Sequence, residues 1–239
     1  MSEKISLPRV ISEHLIEIRY NPNPKILDYR GTWAEAVSRL MQLSEWRIDA
    51  NRVDVSDKEN IRRVFVSFKN AGMVINNSSN RNFLPGQSGK FLRFLFDQEA
   101  FGQKIFIKRI GVRGRFATAF GGEYKELLDL YTSRFVSLTD EAINALDAEV
   151  IDFGGPINFS TKIGNLNSMS GPMPKKQLQH FFSSIKIDKL PEIAFYLDLD
   201  YWKRPEKEMN GREITDLTKR YAEEIWDIHE RIQTLVLSS

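Results

Sequence analysis

The run Lys104-Ile105-Phe106-Ile107-Lys108-Arg109-Ile110-Gly111-Val112-Arg113-Gly114-Arg115-Phe116 constrains the fold of this chain more than any other stretch. It is the longest strand-like run and the most basic one. In an extended chain successive side chains point to opposite faces. Ile110, Val112 and Phe116 therefore share one face, and Arg109, Arg113 and Arg115 share the other. One side can close a core while the other carries a row of guanidinium groups. The expectation is that this row stands uncovered and recognises something negative.

A chain of 239 residues, 41% hydrophobic and 28% charged, has the composition of an ordinary globular protein with a real core. It has no run of 18 apolar residues, so no membrane span is expected. Met1-Ser2-Glu3-Lys4-Ile5-Ser6-Leu7-Pro8 lacks the apolar centre of a secretory signal. The absence of cysteine excludes disulfides, a thiolate nucleophile and a cysteine-based zinc site. These features together point to the cytoplasm. Residues 81–115 hold eight basic and two acidic residues, a local net of +6 in a chain whose total is +2. Such an excess suggests an anionic partner.

Taken in order, Glu13–Tyr20 reads as a strand that Asn21-Pro22-Asn23-Pro24 ends. Thr32 and Glu35 form a capping-box pattern for a helix whose face is Trp33, Val37, Leu40 and Leu43. Three strand-like runs follow at Arg47–Val55, Ile61–Lys69 and Met73–Asn77, with Asn70-Ala71-Gly72 as the hairpin signal. Asn76–Asn82 is polar and loop-like. Ser88–Phe101 suits a helix or a strand. The basic strand comes next, then a helix carrying Tyr124, Leu127, Leu128, Tyr131 and Phe135, and a short helix capped by Thr139. Val150–Ile163 reads as strand and Asn165–Lys176 as a loop. Glu192–Trp202 reads as a strong strand, 205–211 as a linker, and the remainder as a long helix. Its seam is Ile214, Tyr221, Ile225, Ile228, Ile232 and Leu235; it packs on its own sheet or, through residues 212–237, on a second copy. The order predicts an α+β fold with mainly antiparallel sheet and packed helices. The halves 1–135 and 136–239 read as two similar lobes or as one compact domain.

Three places carry a family resemblance. They are Leu15-Ile16-Glu17-Ile18-Arg19-Tyr20 with the following Asn-Pro, Lys108-Arg109-Ile110-Gly111-Val112-Arg113, and Leu197-Asp198-Leu199-Asp200-Tyr201 followed by a linker and a helix bearing His229. Together they resemble an uncharacterised, sporadically distributed bacterial and archaeal family of about this length, with an Arg-Ile-Gly-Leu-Arg-Tyr-type strand. Gly114 stands where that family usually has an aromatic residue. The resemblance implies a single full-length module and brings no activity, cofactor or catalytic residue. The family's sporadic distribution implies an association with prokaryotic antiviral defence.

The candidate partner- or anion-binding residues are Lys104, Lys108, Arg109, Arg113 and Arg115, since arginine forks match phosphate and carboxylate geometry. The competing account is a solvated face with local ion pairs. Asp198 and Asp200 share a strand face and are the candidates for a divalent cation; two carboxylates without a third ligand are a thin metal signal. His14, His180 and His229 show no metal or nucleophile spacing, and His229 reads as ordinary helix surface. Gly86-Gln87-Ser88-Gly89-Lys90 departs from a phosphate loop, with Leu84 and Phe91 where glycine and a hydroxyl belong. The expected function is a non-catalytic, cofactor-free binding subunit of a multiprotein complex. The alternative is a nucleic-acid-binding protein using the basic face of residues 104–116.

Overall fold

The computed structural model describes residues 9–98, 106–136 and 151–237. Lys104 and the helix expected at Thr139 lie outside them. The fold is α+β. Among the described residues nine strands form a single sheet in the order β2-β3-β4-β5-β1-β6-β9-β8-β7, and every neighbouring pair is antiparallel. The strands are β1 (Val10–Tyr20), β2 (Glu45–Ile48), β3 (Arg52–Ser56), β4 (Arg62–Ser67), β5 (Asn70–Asn76), β6 (Ile107–Ala119), β7 (Gly155–Ser160), β8 (Asn165–Pro174) and β9 (Ile193–Lys203). The helices are α1 (Lys25–Asp28), α2 (Arg30–Met41), α3 (Phe83–Phe96), α4 (Tyr124–Phe135), α5 (Lys175–Phe181) and α6 (Gly211–Leu237). No described helix is long and apolar enough to cross a membrane.

The element order contains a repeat that residue identities do not show. β1 opens the chain and pairs with β5, beyond which β4, β3 and β2 step outward. β6 restarts the pattern, pairing with β9, beyond which β8 and β7 step outward. The restart falls upstream of the boundary drawn from the sequence. The two opening strands pair with each other at the centre of one continuous sheet, Ile16 opposite Val112 and Ile18 opposite Ile110.

Strand alternation decides where the core sits. Ile16, Ile18, Val112 and Phe116 face the helix layer and are buried with Trp33, Phe91, Leu92, Leu127, Ile214, Tyr221 and Ile225 in one cluster. Full burial of a side chain of this size stabilises by roughly 1.5–3 kcal/mol. Gly114 lies on the same face, where the central turn of α6 comes down on β6. A Cβ there would meet Ile225 Cγ2 at 2.5 Å. Among the described residues the opposite face is covered only at one end, where α5 closes a second small core over Ile11, Ala117, Ala194 and Tyr196.

Several local expectations are corrected. The helix of Thr32 begins at Arg30 directly after α1, so Thr32 is interior and caps nothing. The β4–β5 turn lies at Phe68-Lys69, because the Ser67 hydroxyl accepts hydrogen bonds from the Lys69 and Asn70 amides; Ala71 and Gly72 belong to β5. The stretch Asn165–Pro174, read as a loop for its Asn, Ser, Gly and Pro, is a strand held by ladders to β7 and β9. The glycine-rich run 86–90 is inside α3 and forms no phosphate loop. The seam of α6 is occupied within the chain: Ile214, Thr218, Tyr221 and Ile225 are buried, and Leu235 is exposed.

Candidate functional site

The sheet's open face brings together Arg109, Arg113 and Arg115 of β6 with carboxylates from both neighbouring strands. Register accounts for the pairing. Arg115 stands opposite Glu13 of β1 and Asp198 of β9, and Arg113 stands opposite Asp200. Directly opposed and diagonal side chains on one sheet face are within reach of each other. Arg113 Nε donates to Asp198 Oδ1 at 2.7 Å, and its Nη2 donates to Asp198 Oδ2, so the fork is bidentate. Arg115 donates to Glu13 at 2.6 Å and to the Phe181 carbonyl at 3.1 Å. Arg109 donates to Asp200 at 2.8 Å and lies 3.8 Å from Glu17.

The row of guanidinium groups expected to stand free is therefore neutralised by the chain's own carboxylates. This corrects the expectation of an uncovered row. Among the described members of the expected set, Lys108 alone is exposed and without a described carboxylate within ion-pair distance. The sequence signal for the correction was present: Glu13, Glu17, Asp198 and Asp200 occupy alternate positions of strands that turn out to flank β6.

The charges tune one another. The hydrogen bond from Arg113 to Asp198 raises the guanidinium pKa further, against the opposing effect of burial. Burial pushes Glu17 up, but hydrogen bonds from Arg19 and Asn70 together with the two arginine charges hold it below its usual value. Burial raises Asp200 more than Arg109 lowers it. Burial raises the Tyr196 phenol, and the neighbouring Asp198 charge adds to the effect; the phenol donates to Asp198 at 3.1 Å. The oxygens of Asp198 and Asp200 proposed for a cation are engaged by arginine. No group of three His, Cys, Asp or Glu suited to a metal occurs among the described residues.

Beside this network the open face sinks into a cleft of about 760 Å³. Its floor is apolar: Leu15 and Val74 are directly paired across β1 and β5, and Phe65 joins them from β4. Phe65 covers Gly72, where a Cβ would come within 2.6 Å of the ring, and Arg52 lies 4.3 Å above that ring. The rim carries Glu13, Glu17 and Glu59 against Arg19, Arg52 and Arg63. The cleft is thus neutral in sum and patterned in sign.

The sequence reading missed a third cluster on the helix side. His14 and His229, 215 positions apart in number, meet around Phe116 and are both 2% exposed. His229 stacks on Phe116 at 3.9 Å, and His14 stacks on Trp226 at 5.2 Å. This corrects the reading of His229 as helix surface. The available signal was its spacing, four residues after Ile225 and three after Trp226. His180 is exposed on α5. No protein-family model matches this chain, and no curated protein matches it.

Proposed function

We propose that the chain is a non-catalytic binding subunit whose partner is a protein segment seated on the open face of the sheet. The observation that carries the reading is the cleft with Leu15, Phe65 and Val74 as its floor and balanced charges on its rim. An apolar centre within a polar, arginine-rich rim has the anatomy of a protein recognition surface. Arginines already tied to carboxylates are fixed in place before a partner arrives, so their ordering costs little at binding. Fixed charges of both signs favour a partner with the complementary pattern and give little attraction to a uniform polyanion. The alternative, a nucleic-acid-binding protein using the face of residues 104–116, needs cations free for phosphate. Arg109, Arg113 and Arg115 already share carboxylates.

The test uses the full chain as bait in host lysate, with and without nuclease. Val74→Arg, at the half-buried floor, and Arg63→Glu, at the exposed rim, serve as controls. A protein retained after nuclease treatment by the wild type and lost with both variants supports the reading. Retention indifferent to both substitutions overturns it, as does a retained species that nuclease removes and that depends steeply on salt.

A further inference from the structure

One end of the open face differs from the rest, and its geometry follows from a β-bulge. Tyr20 pairs with Ile107 and Arg19 pairs with Arg109, so Lys108 is an extra residue in β6. A bulge of this kind places two consecutive residues of one strand opposite a single residue of its partner. Ile107 and Ile110 are both buried in the helix-side core, three positions apart. The intervening Lys108 and Arg109 therefore both turn toward the open side, where both line one cleft of about 820 Å³.

That cleft gathers Arg19, Lys69, Lys108, Arg109 and Arg204 around one carboxylate, Glu17. Glu17 is already shared by Arg19 and Arg109. Lys69, Lys108 and Arg204 have no carboxylate within ion-pair distance among the described residues. Arg204 and Lys69 instead lie over aromatic rings, Trp202 at 5.7 Å and Phe68 at 5.8 Å. Backbone hydrogen bonds hold the walls together. The Tyr20 amide donates to the Lys69 carbonyl at 3.1 Å, and the Asn21 amide donates to the Phe106 carbonyl at 3.3 Å. Phe106 presents an exposed ring at the margin of the same cleft.

The geometry points to a polyphosphate site here, one that takes the phosphate chain of a nucleotide with Phe106 against the base. Three cations without carboxylate partners converging on one hollow suit several anionic oxygens at once. The cavity is within the range of small-ligand sites, roughly 300–1,000 Å³. The excess of positive charge is local, because the adjoining cleft balances Glu13, Glu17 and Glu59 against three arginines. A nucleic-acid track would need the cationic lining to continue. This site adjoins the protein-binding cleft and shares Glu17 and Arg19 with it, but Phe106, Lys108 and Arg204 line this site alone, so changes at those three test it without touching the other cleft.

Calorimetry on the full chain with sodium tripolyphosphate, ATP and a series of single-stranded oligonucleotides tests the assignment. Tripolyphosphate is expected to bind in the micromolar range, to weaken at least about tenfold in Lys108→Glu/Arg204→Glu, and to weaken as salt rises. ATP is expected to bind more tightly than tripolyphosphate, with that advantage lost in Phe106→Ala. All three substitutions fall on exposed side chains, and an unchanged melting temperature excludes misfolding as the cause. Absence of tripolyphosphate and ATP binding at roughly 1 mM overturns the proposal. So does binding that the charge reversals leave intact. Equal affinity for ATP and tripolyphosphate overturns the nucleotide assignment, and affinity that climbs steadily with oligonucleotide length overturns the small-ligand site.

Discussion

His229 lies flat against Phe116, with ring centroids 3.9 Å apart and planes 13° from parallel. His14 approaches the same phenyl edge-on at 5.3 Å. Burial lowers the pKa of each imidazole to about 4, and for His14 the nearby His229 adds to the effect. Both imidazoles are therefore neutral at pH 7. His14 Nε2 and both His229 nitrogens are buried without a hydrogen-bond partner among the described residues.

This arrangement predicts acid sensitivity. In the unfolded chain each imidazole takes up a proton near pH 6.5; in the folded chain it resists until about pH 4. Between those values the unfolded state binds more protons, so stability falls as pH falls. The contribution is complete above about 6.5 and lost by about 4, at about 3 kcal/mol per histidine. Urea unfolding at a series of pH values in this window measures the slope. His229→Phe, which keeps a ring on Phe116, should flatten it; an unchanged slope would show that other groups carry the titration.

The network on the open face predicts an asymmetry between its partners. Asp198 is 4% exposed, accepts hydrogen bonds from Arg113 and Tyr196, and lies 3.5 Å from Arg115 Nε as an ion pair. Asp198→Ala strands the half-buried Arg113 guanidinium, leaves Arg115 with Glu13 as its carboxylate, and should cost about 3 kcal/mol. Arg113→Ala should cost less, about 1 kcal/mol, because Asp198 keeps the Tyr196 hydrogen bond and the Arg115 charge, and the Arg113 side chain is 36% exposed. Denaturant midpoints of the two single variants and the double variant test this. Equal costs, or simple additivity, would remove the claim that Asp198 is the hub.

How much of this was legible beforehand depended on how locally each feature is determined. The alternation of Ile110, Val112 and Phe116 against Arg109, Arg113 and Arg115 fixes the two faces of β6 within one strand. The antiparallel α+β class followed from element order in the same way. What alternation cannot supply is the identity of neighbours. That Glu13 and Asp198 flank Arg115 depends on β1 and β9 meeting β6, contacts between residues 102 and 83 positions apart in the chain. β8 was misread for a related reason. Few of its side chains are buried, so its strand character comes from ladders on both sides and leaves little period-two signal. The bulge at Lys108 was hidden because one strand's sequence does not show where its partner skips a residue.

Gly114 predicts a steric dependence on α6. A Cβ at that position would be 2.5 Å from Ile225 Cγ2 and 3.0 Å from the Phe116 ring. Gly114→Ala should therefore destabilise by about 1–3 kcal/mol through overpacking. Removing the opposing Cγ2 should recover part of the loss, so Gly114→Ala/Ile225→Ala is expected to be more stable than the sum of its single changes. Thermal unfolding of the four proteins provides the cycle. Additive effects would mean that the strand and helix do not meet closely at this point.

The bulge predicts a separation of folding from binding. Ile107 and Ile110 are in the core on either side of the Lys108-Arg109 pair. Deleting Lys108 would restore regular pairing and leave Ile107 and Ile110 on different faces only if Ile107 kept its spacing from Arg109 by two. Instead it becomes the immediate neighbour of Arg109, and strict alternation returns Ile107 to the same helix-side face as Ile110. The core is thus expected to survive, with a melting temperature within about 5 °C of the wild type, since a change of about 1 kcal/mol moves the midpoint by a few degrees. Tripolyphosphate affinity should fall because the cleft loses the Lys108 cation, while Arg109 keeps its place on the open face, the side away from Ile110. A deletion that unfolds the chain would mean the bulge is needed to relieve strain between β1 and β6. A deletion that folds and still binds tripolyphosphate at full strength would mean that the bulge does not organise the cleft.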